Sequence, residues 1–214
     1  MADNRTIQIK LNDVILPAYF LKNRVNNGLI IFSQESGNMM QIKRNYYIAK
    51  LLQDRGFEIL FFELLTDKED HAAQVRFNIN LLAKRLAQVI DWVGQQDTIN
   101  NLPIGIFGTS YGSASALQTT VERSGQISVM VSHEGRPDMA IEALPEVTTP
   151  VLFIVDELDK QLIDSNSLAY HLIKGRKKME ILSNTIHLTE EPWLLQKVAN
   201  LAADWYNYYL RSIN

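Results

Sequence analysis

The chain has 214 residues, of which 46% are hydrophobic and 21% are charged. These proportions are those of ordinary soluble globular proteins, so they indicate neither a disordered nor a fibrous protein. A formal net charge of −3 argues against a surface that follows the phosphates of a nucleic acid. The chain contains no cysteine, which excludes disulfides, thiolate nucleophiles and cysteine-ligated metals. We expect residues 1–214 to form one domain.

The first residues are polar, and no apolar run approaches the roughly 18 residues of a membrane-spanning helix. We therefore expect a cytoplasmic protein that binds neither membranes nor nucleic acid. Tyr206, Tyr208 and Tyr209 follow one another closely near the C-terminus. They could form the contact patch of a homodimer, or they could pack a terminal helix against the core.

The chain opens with two β-leaning segments, residues 6–10 and 14–21, on either side of the turn signal Asn12-Asp13. This arrangement predicts an antiparallel pair of strands. Six short runs that predict strands follow, and the first of them is continuously apolar, as in a strand with both faces covered. They lie at residues 28–32, 59–62, 104–107, 126–132, 150–155 and 179–182.

Helical periodicity lies between these runs. An apolar stripe with steps of three and four residues predicts a long helix over residues 75–93, and shorter helices are expected at 46–55, 165–173 and 193–210. Residues 66–74 carry alternating charges and are expected to form an exposed loop. Buried strands that alternate with amphipathic helices indicate βαβ crossovers. We therefore predict an α/β fold with a mostly parallel sheet, helices on both faces and no cap domain.

The segment Gly108-Thr109-Ser110-Tyr111-Gly112 joins the apolar run at 104–107 to a small-residue segment with helical spacing. A G-x-S-x-G sequence between a strand and a helix is the pattern of a nucleophile elbow, in which a tight turn exposes a serine hydroxyl above the sheet. The two glycines fit such a turn because strand and helix backbones come too close for a Cβ. The pentapeptide alone is weak evidence, so the neighbouring strand ends must supply its partners.

A serine nucleophile needs a base that takes its proton and an acid that orients the base. In elbow enzymes these partners follow in the order Ser, Asp or Glu, His, and in open parallel sheets they lie at the carboxyl ends of strands. Asp156 and Asp159 follow the fifth apolar run, and His187 follows the sixth. We prefer Asp159, because its loop position lets it reach an imidazole; Asp156 is the alternative.

The other histidines fit the role of base less well. His71 lies in the polar stretch before any candidate acid, and His171 lies within a predicted helix. His133 comes too early in the order, but its place at a strand end predicts that it borders the substrate pocket. His187 could also simply cap the helix that follows it.

Hydrolysis also needs donors directed at the developing oxyanion. One predicted donor is the backbone N–H of Tyr111, the residue after the nucleophile. The second should come from the loop after the first central strand, and we assign it to the N–H of Gln34 or Glu35.

Taken together, these features resemble the α/β-hydrolases, and specifically the small lidless enzymes grouped with dienelactone hydrolase. The matching segments are F-G-T-S-Y-G at 107–112, G-R-P-D at 135–138, R-F-N-I-N-L-L at 76–82 and T-I-H-L-T-E-E-P at 185–192. The resemblance implies a catalytic triad of Ser110, Asp159 and His187. We expect His133 and Arg136 to contact the substrate, and we expect neither a metal nor another cofactor.

One position departs from many relatives of this shape, which carry His-Gly where this chain has Gln34-Glu35. The Gln-Glu pair is similar to that of dienelactone hydrolase itself, whose glutamate helps manage the charge of the nucleophile. That enzyme uses a cysteine, however, and this chain has none. Glu35 could hold Ser110 in a resting state, or it could be a solvated loop carboxylate.

The expected function is that of a serine hydrolase that cleaves a small ester, thioester or lactone through an acyl-enzyme. The missing lid predicts an open pocket for a small-molecule acyl substrate. Two alternatives stay open: a hydrolase-fold binding protein that has lost turnover, and an acyltransferase that uses the same residues.

Overall fold

A computed structural model describes residues 4–35, 39–183 and 192–210. Eight strands form one sheet in the order β1-β2-β4-β3-β5-β6-β7-β8. Their bounds are β1 Asn4–Lys10, β2 Ile15–Leu21, β3 Leu29–Ser33, β4 Glu58–Phe62, β5 Ile104–Thr109, β6 Ile127–Gly135, β7 Val151–Asp156 and β8 Lys177–Leu182. Strand β2 is antiparallel to both of its neighbours, and every other neighbouring pair is parallel. The predicted mostly parallel sheet with an antiparallel start is confirmed.

Helices cover both faces of the sheet, as predicted. Their bounds are α1 Met39–Asp54, α2 Asp67–Asp70, α3 Ala73–Arg76, α4 Ile79–Val93, α5 Ser110–Glu122, α6 Lys160–Leu172 and α7 Pro192–Leu210. Helices α1 and α7 share one apolar core with the sheet, while α4, α5 and α6 share the other. The connection from β6 to β7 holds only two short 3-10 turns, Pro137–Ala140 and Leu144–Glu146, and so carries no cap domain. Among the described helices, none combines the length and the apolar character needed to cross a membrane.

Strand β3 shows why the central strands are continuous apolar runs. All five of its residues are buried. Ile30 and Phe32 pack into the core under α1 and α7, whereas Leu29 and Ile31 pack into the core on the opposite face. Each such side chain contributes about 1.5–3 kcal/mol when it is fully buried, so both faces of this strand stabilise the fold.

The long helix predicted over residues 75–93 begins later than its apolar stripe. Helix α4 starts at Ile79 because the side chain of Asn78 caps it, with Oδ1 accepting a hydrogen bond of 3.1 Å from the N–H of Leu81. Val75 lies in the separate short helix α3. A capping residue favours a helix start through its own hydrogen bond, which the spacing of apolar residues does not reveal.

The stretch predicted as an exposed loop, residues 66–74, instead forms α2 and the start of α3. The N–H and hydroxyl of Thr66 both donate to Glu69, at 2.9 and 2.8 Å. Glu69 also accepts two hydrogen bonds, of 2.6 and 2.8 Å, from the buried guanidinium of Arg85. These bonds from Arg85 lower the pKa of Glu69 from its ordinary 4.5 to about 2. The charges in this stretch therefore tie α2 to α4.

Of the three tyrosines near the C-terminus, Tyr206 is a core residue. Its side chain is fully buried, and its hydroxyl donates to the carbonyl oxygen of Ile106 at 2.9 Å. Tyr208 is 62% exposed. Tyr206 therefore packs α7 against β5, which is the core-packing alternative for this residue.

Replacing Glu69 should destabilise the protein in a pH-dependent manner. Because the pKa of Glu69 is lowered in the folded state, its contribution is present above pH 4.5 and is lost as the pH falls towards 2. With allowance for partial exposure, we expect Glu69→Gln to lower the free energy of unfolding by about 1–2 kcal/mol at pH 7. Urea denaturation at pH 7, 4 and 2.5 should show this difference shrinking.

Glu146→Gln is the matched control, because its carboxylate lies 3.6 Å from Lys174 with both side chains largely exposed. An exposed pair of this kind contributes at most about 1 kcal/mol. A Glu69→Gln effect that stayed constant across the pH range would contradict the assigned ion pair.

Candidate active site

Ser110 lies at the junction of β5 and α5 in a left-handed backbone conformation, with φ of 48°. Such a conformation is unfavourable for a residue with a Cβ and persists only where the surrounding structure holds it. Here the carbonyl oxygen of Ser110 accepts a hydrogen bond of 3.0 Å from the N–H of Arg136, and Ser110 forms a parallel bridge with Gly135 at the end of β6. The strained turn is therefore held by the neighbouring strand.

Both glycines of the G-x-S-x-G pattern lie where no side chain fits. A Cβ on Gly112 would lie 2.2 Å from the carbonyl oxygen of Ser33, and a Cβ on Gly108 would lie 2.8 Å from the Cα of Ser113. The hydroxyl of Ser33 donates to the carbonyl oxygen of Gly112 at 2.8 Å. Close approach of the strand and helix backbones, predicted from the two glycines, is confirmed.

The carboxylate of Glu35 lies in the turn of the elbow. Glu35 is only 7% exposed, and its Oε2 accepts a hydrogen bond of 3.0 Å from the N–H of Gly112. The Ser110 hydroxyl and the N–H groups of Glu35 and Tyr111 also lie near this carboxyl group and favour its charged form. Burial raises the pKa of Glu35, and these interactions partly offset the rise. The alternative of a solvated loop carboxylate is wrong.

The donors that surround this carboxylate include those predicted to bind an oxyanion. The N–H groups of Tyr111 and Glu35 both lie near it and lower its pKa. We call the N–H groups of Glu35, Tyr111 and Gly112 the amide cradle. The carboxyl group of Glu35 therefore lies against the N–H groups of the cradle.

A cavity of about 310 Å³ opens over Ser110. It brings together six of the predicted site residues, and most of its wall is polar. Its lining residues are Gln34, Glu35, Gln41, Ile42, Arg44, Asn45, Thr109, Ser110, Tyr111, Glu134, Arg136, Asp159, Gln161 and Leu162. Nowhere in residues 4–35, 39–183 and 192–210 do three or more His, Asp or Glu side chains cluster as a metal site would require.

The two candidate acids differ in their relation to this cavity. Asp159 lines it and caps α6, with Oδ1 accepting a hydrogen bond of 2.9 Å from the N–H of Leu162. Asp156 ends β7, accepts a hydrogen bond of 2.8 Å from the N–H of Leu158 and does not line the cavity. This placement favours Asp159. The predicted base, His187, lies outside the described residues.

His133 is not placed as a substrate-contacting residue. It is 3% exposed, packs beside the ring of Phe107 with centroids 6.0 Å apart and does not line the cavity. Burial lowers its pKa to about 4, so the imidazole is neutral at pH 7. The prediction took the strand to end at residue 132, but β6 continues to Gly135, which puts His133 inside the strand instead of at its end.

Arg136 does line the cavity, as expected of a residue that contacts the substrate. Its guanidinium makes two hydrogen bonds, of 2.9 and 2.7 Å, to the carboxylate of Asp138. It also lies 5.8 Å from the centre of the Tyr111 ring. The cation is therefore fixed over the residue that follows the nucleophile.

The cavity wall also contains Arg44, Asn45 and Glu134, which no sequence pattern indicated. Arg44 Nη1 donates to Glu134 Oε2 at 2.7 Å, and Glu134 has a positive φ of 49°. Arg44 and Asn45 belong to α1, which begins at Met39, whereas the predicted helix began at residue 46. Their helical spacing from Ile48 and Ala49, which are buried, was the signal that could have extended the helix to include them.

Alanine at position 112 should disrupt the elbow. The added Cβ would overlap the backbone of Ser33, and because neither backbone can yield without moving the strand, we expect a loss of about 1–3 kcal/mol in unfolding free energy. Gly94→Ala is the control: Gly94 has helical backbone angles, and its nearest contact would be 3.4 Å. Urea denaturation should show that change to be neutral or slightly stabilising. Equal effects of the two substitutions would contradict the close-packing account.

Comparison with known proteins agrees with this fold. No protein-family profile matches the chain. Two curated proteins from strains of Mycobacterium tuberculosis, provisionally named phosphoribosyl transferases, are 34% identical over 94% of this chain. The match spans only 45% of those proteins, so the chain covers about half the length of these relatives.

Solved structures match along nearly the whole chain. The esterase Est1E from Butyrivibrio proteoclasticus is 11% identical with a TM-score of 0.80, over 96% of this chain and 99% of that chain, and shares the fold. The dienelactone hydrolase from Anabaena variabilis is 34% identical with a TM-score of 0.91, over 98% of this chain and 99% of that chain. The elbow, the sheet order and this similarity together show that the chain belongs to the dienelactone hydrolase family of α/β-hydrolases.

Proposed function

We propose that the protein is a serine hydrolase that cleaves a small ester, thioester or lactone through an acyl-enzyme. The observation that carries this proposal is the amide cradle, which holds the carboxyl group of Glu35 beside Ser110. Donors directed at an anion next to a nucleophile are what acyl transfer requires, and each typically contributes about 2.7–4 kcal/mol to catalysis.

In the proposed reaction, Ser110 Oγ attacks the substrate carbonyl carbon and its proton passes to His187, which Asp159 orients. The resulting oxyanion accepts hydrogen bonds from the N–H of Tyr111 and from the N–H of Gln34 or Glu35. The tetrahedral intermediate then collapses, and the leaving alcohol or thiol receives the proton from His187. Water, deprotonated by His187, then attacks the acyl group, and the acid leaves as His187 returns the proton to Ser110 Oγ.

Glu35 must yield its position for this reaction to proceed. An oxyanion and the Glu35 carboxylate cannot share the cradle, because two negative charges in contact at a buried site repel strongly. We propose that, in the resting state, the Glu35 carboxylate occupies the amide cradle and interacts with the Ser110 hydroxyl until substrate displaces it. The carboxylate can release the cradle either by taking up a proton or by rotating away.

The same observation supports a second candidate, a hydrolase-fold binding protein without turnover, in which Glu35 never leaves the cradle. Acyl transfer to an acceptor other than water uses the residues of the first proposal and differs only in what attacks the acyl-enzyme. The match covers less than half of each relative named a phosphoribosyl transferase, so that name does not support phosphoribosyl transfer by this chain.

Removing the nucleophile should abolish hydrolysis. We expect Ser110→Ala to lower the turnover of p-nitrophenyl acetate by at least about 10³-fold, since loss of a triad serine can cost about 10⁶. Ser124→Ala, which changes an exposed serine beyond α5, should retain the parent rate. If Ser110→Ala protein is as fast as the parent, Ser110 is not the nucleophile.

A fluorophosphonate probe separates the two candidates, because it labels a serine only where that serine is activated. Labelling of the parent at Ser110 would contradict the binding protein. If the probe does not label the folded parent protein, that result would contradict the hydrolase proposal.

Neutralising Glu35 should raise activity in a pH-dependent manner. Glu35→Gln keeps the size of the side chain but removes the charge that competes with the oxyanion, so we expect kcat/KM at pH 8 to rise about tenfold, equivalent to about 1.4 kcal/mol. As the pH falls towards the raised pKa of Glu35, the parent carboxyl also becomes neutral and the ratio of variant to parent should decline.

Steady-state kinetics from pH 5 to 8 measures this ratio, with Glu142→Gln on the exposed surface as the control. If Glu35→Gln is slower than the parent at pH 8, the carboxylate assists the chemistry and is no resting-state occupant.

A further inference from the structure

The amide side chains of Gln34 and Asn45 form a bonded pair in the wall of the Ser110 cavity. Both residues line the cavity, although they are only 5% and 3% exposed. Asn45 Nδ2 donates to Gln34 Oε1 at 2.8 Å and to Thr109 Oγ1 at 3.2 Å. The pair is therefore fixed beside the residue that precedes the nucleophile.

Each amide of the pair keeps one polar atom without a hydrogen bond to any part of the chain that the structure describes. These atoms are Gln34 Nε2, a donor, and Asn45 Oδ1, an acceptor. Exchanging O and N in both amides leaves the same result, one free donor and one free acceptor. A buried polar group left unpaired costs about 1–3 kcal/mol, so the pair favours a ligand group that satisfies both atoms.

The charges of the cavity favour a neutral ligand group. Its two cations are already paired, Arg44 with Glu134 at 2.7 Å and Arg136 with Asp138 at 2.7 Å. The carboxylates of Glu35 and Asp159 also line the cavity. An anionic substituent would therefore meet two carboxylates while both cations are already neutralised.

We propose that Gln34 and Asn45 form a recognition subsite for a hydroxyl group on the acyl part of the substrate. A hydroxyl is the smallest neutral group that both donates and accepts, and the acyl group is the part of the substrate that lies nearest to Thr109 once it is bound to Ser110. This assignment rests on the proposed hydrolase function and narrows its substrates to hydroxyacyl esters. It concerns the side chain of Gln34 and is separate from the backbone N–H of that residue.

Kinetics with a matched pair of esters tests the subsite. We expect the parent to prefer p-nitrophenyl 3-hydroxybutyrate over p-nitrophenyl butyrate by about 10- to 100-fold in kcat/KM, each divided by its uncatalysed rate. Gln34→Met and Asn45→Leu remove the free donor and the free acceptor at similar side-chain size, so in both variants this ratio should fall to near one. Gln95→Met, at an exposed glutamine after α4, should keep the preference.

Each outcome separates the subsite from the reaction. Ser110-dependent hydrolysis of both esters with equal kcat/KM would overturn the subsite and leave the hydrolase standing. Absence of Ser110-dependent hydrolysis of either ester would overturn the hydrolase, and a binding experiment then decides the subsite.

That experiment measures ligand binding to Ser110→Ala protein labelled with ¹⁵N and needs no turnover. The side-chain amide signals of Gln34 and Asn45 are assigned by their loss in Gln34→Met and Asn45→Leu. We expect methyl 3-hydroxybutyrate to shift both signals and methyl butyrate to leave them in place. Amide signals that do not shift with the hydroxy ester, or that shift equally with both esters, would overturn the subsite.

Discussion

The start of α5 lies directly against the end of β3, with no side chain between the two backbones. A Cβ on Gly112 would lie 2.2 Å from the carbonyl oxygen of Ser33, and the Ser33 hydroxyl bonds to the carbonyl oxygen of Gly112. This contact fixes where the first turn of the helix begins. The left-handed turn at Ser110, the direction of the N–H groups of Tyr111 and Gly112, and the position of Glu35 beyond β3 all depend on it.

Because the first turn of a helix leaves N–H groups without partners inside the helix, it attracts an anion. In this protein the anion is the carboxylate of Glu35, which is brought to that turn by the same close approach of β3. Burial disfavours the charged form of Glu35, whereas the nearby N–H groups and the Ser110 hydroxyl favour it. Under the proposed function, the resting protein holds its own side chain where a substrate oxyanion would form.

The large-scale architecture could be predicted from local patterns, because it depends on them. Continuous apolar runs marked the strands buried on both faces, and their alternation with amphipathic helices indicated the parallel sheet. The order of Ser110, the acids and His187 along the chain follows from the topology of such a sheet. The two glycines of the elbow indicated a close contact between backbones that only glycine allows.

What the sequence did not reveal depends on contacts between distant residues. Arg85 reaches across to Glu69 and turns a charged stretch into two short helices. Asn78 shortens a helix whose apolar stripe continues past it. Arg44 and Asn45 enter the cavity wall because α1 starts before its apolar periodicity becomes clear. In each case a side-chain hydrogen bond or a packed helix overrides local preference, and no spacing rule encodes its partner.

The central claim is that the amide cradle beside Ser110 is an oxyanion site that Glu35 fills at rest. The most direct measurement is a crystal structure of the protein after reaction with a fluorophosphonate. Our account predicts phosphorus bonded to Ser110 Oγ, the phosphoryl oxygen bound by the N–H of Tyr111, and the Glu35 carboxylate displaced from the cradle. An adduct at Ser110 whose phosphoryl oxygen lies elsewhere, with Glu35 still bound to the N–H of Gly112, would contradict it.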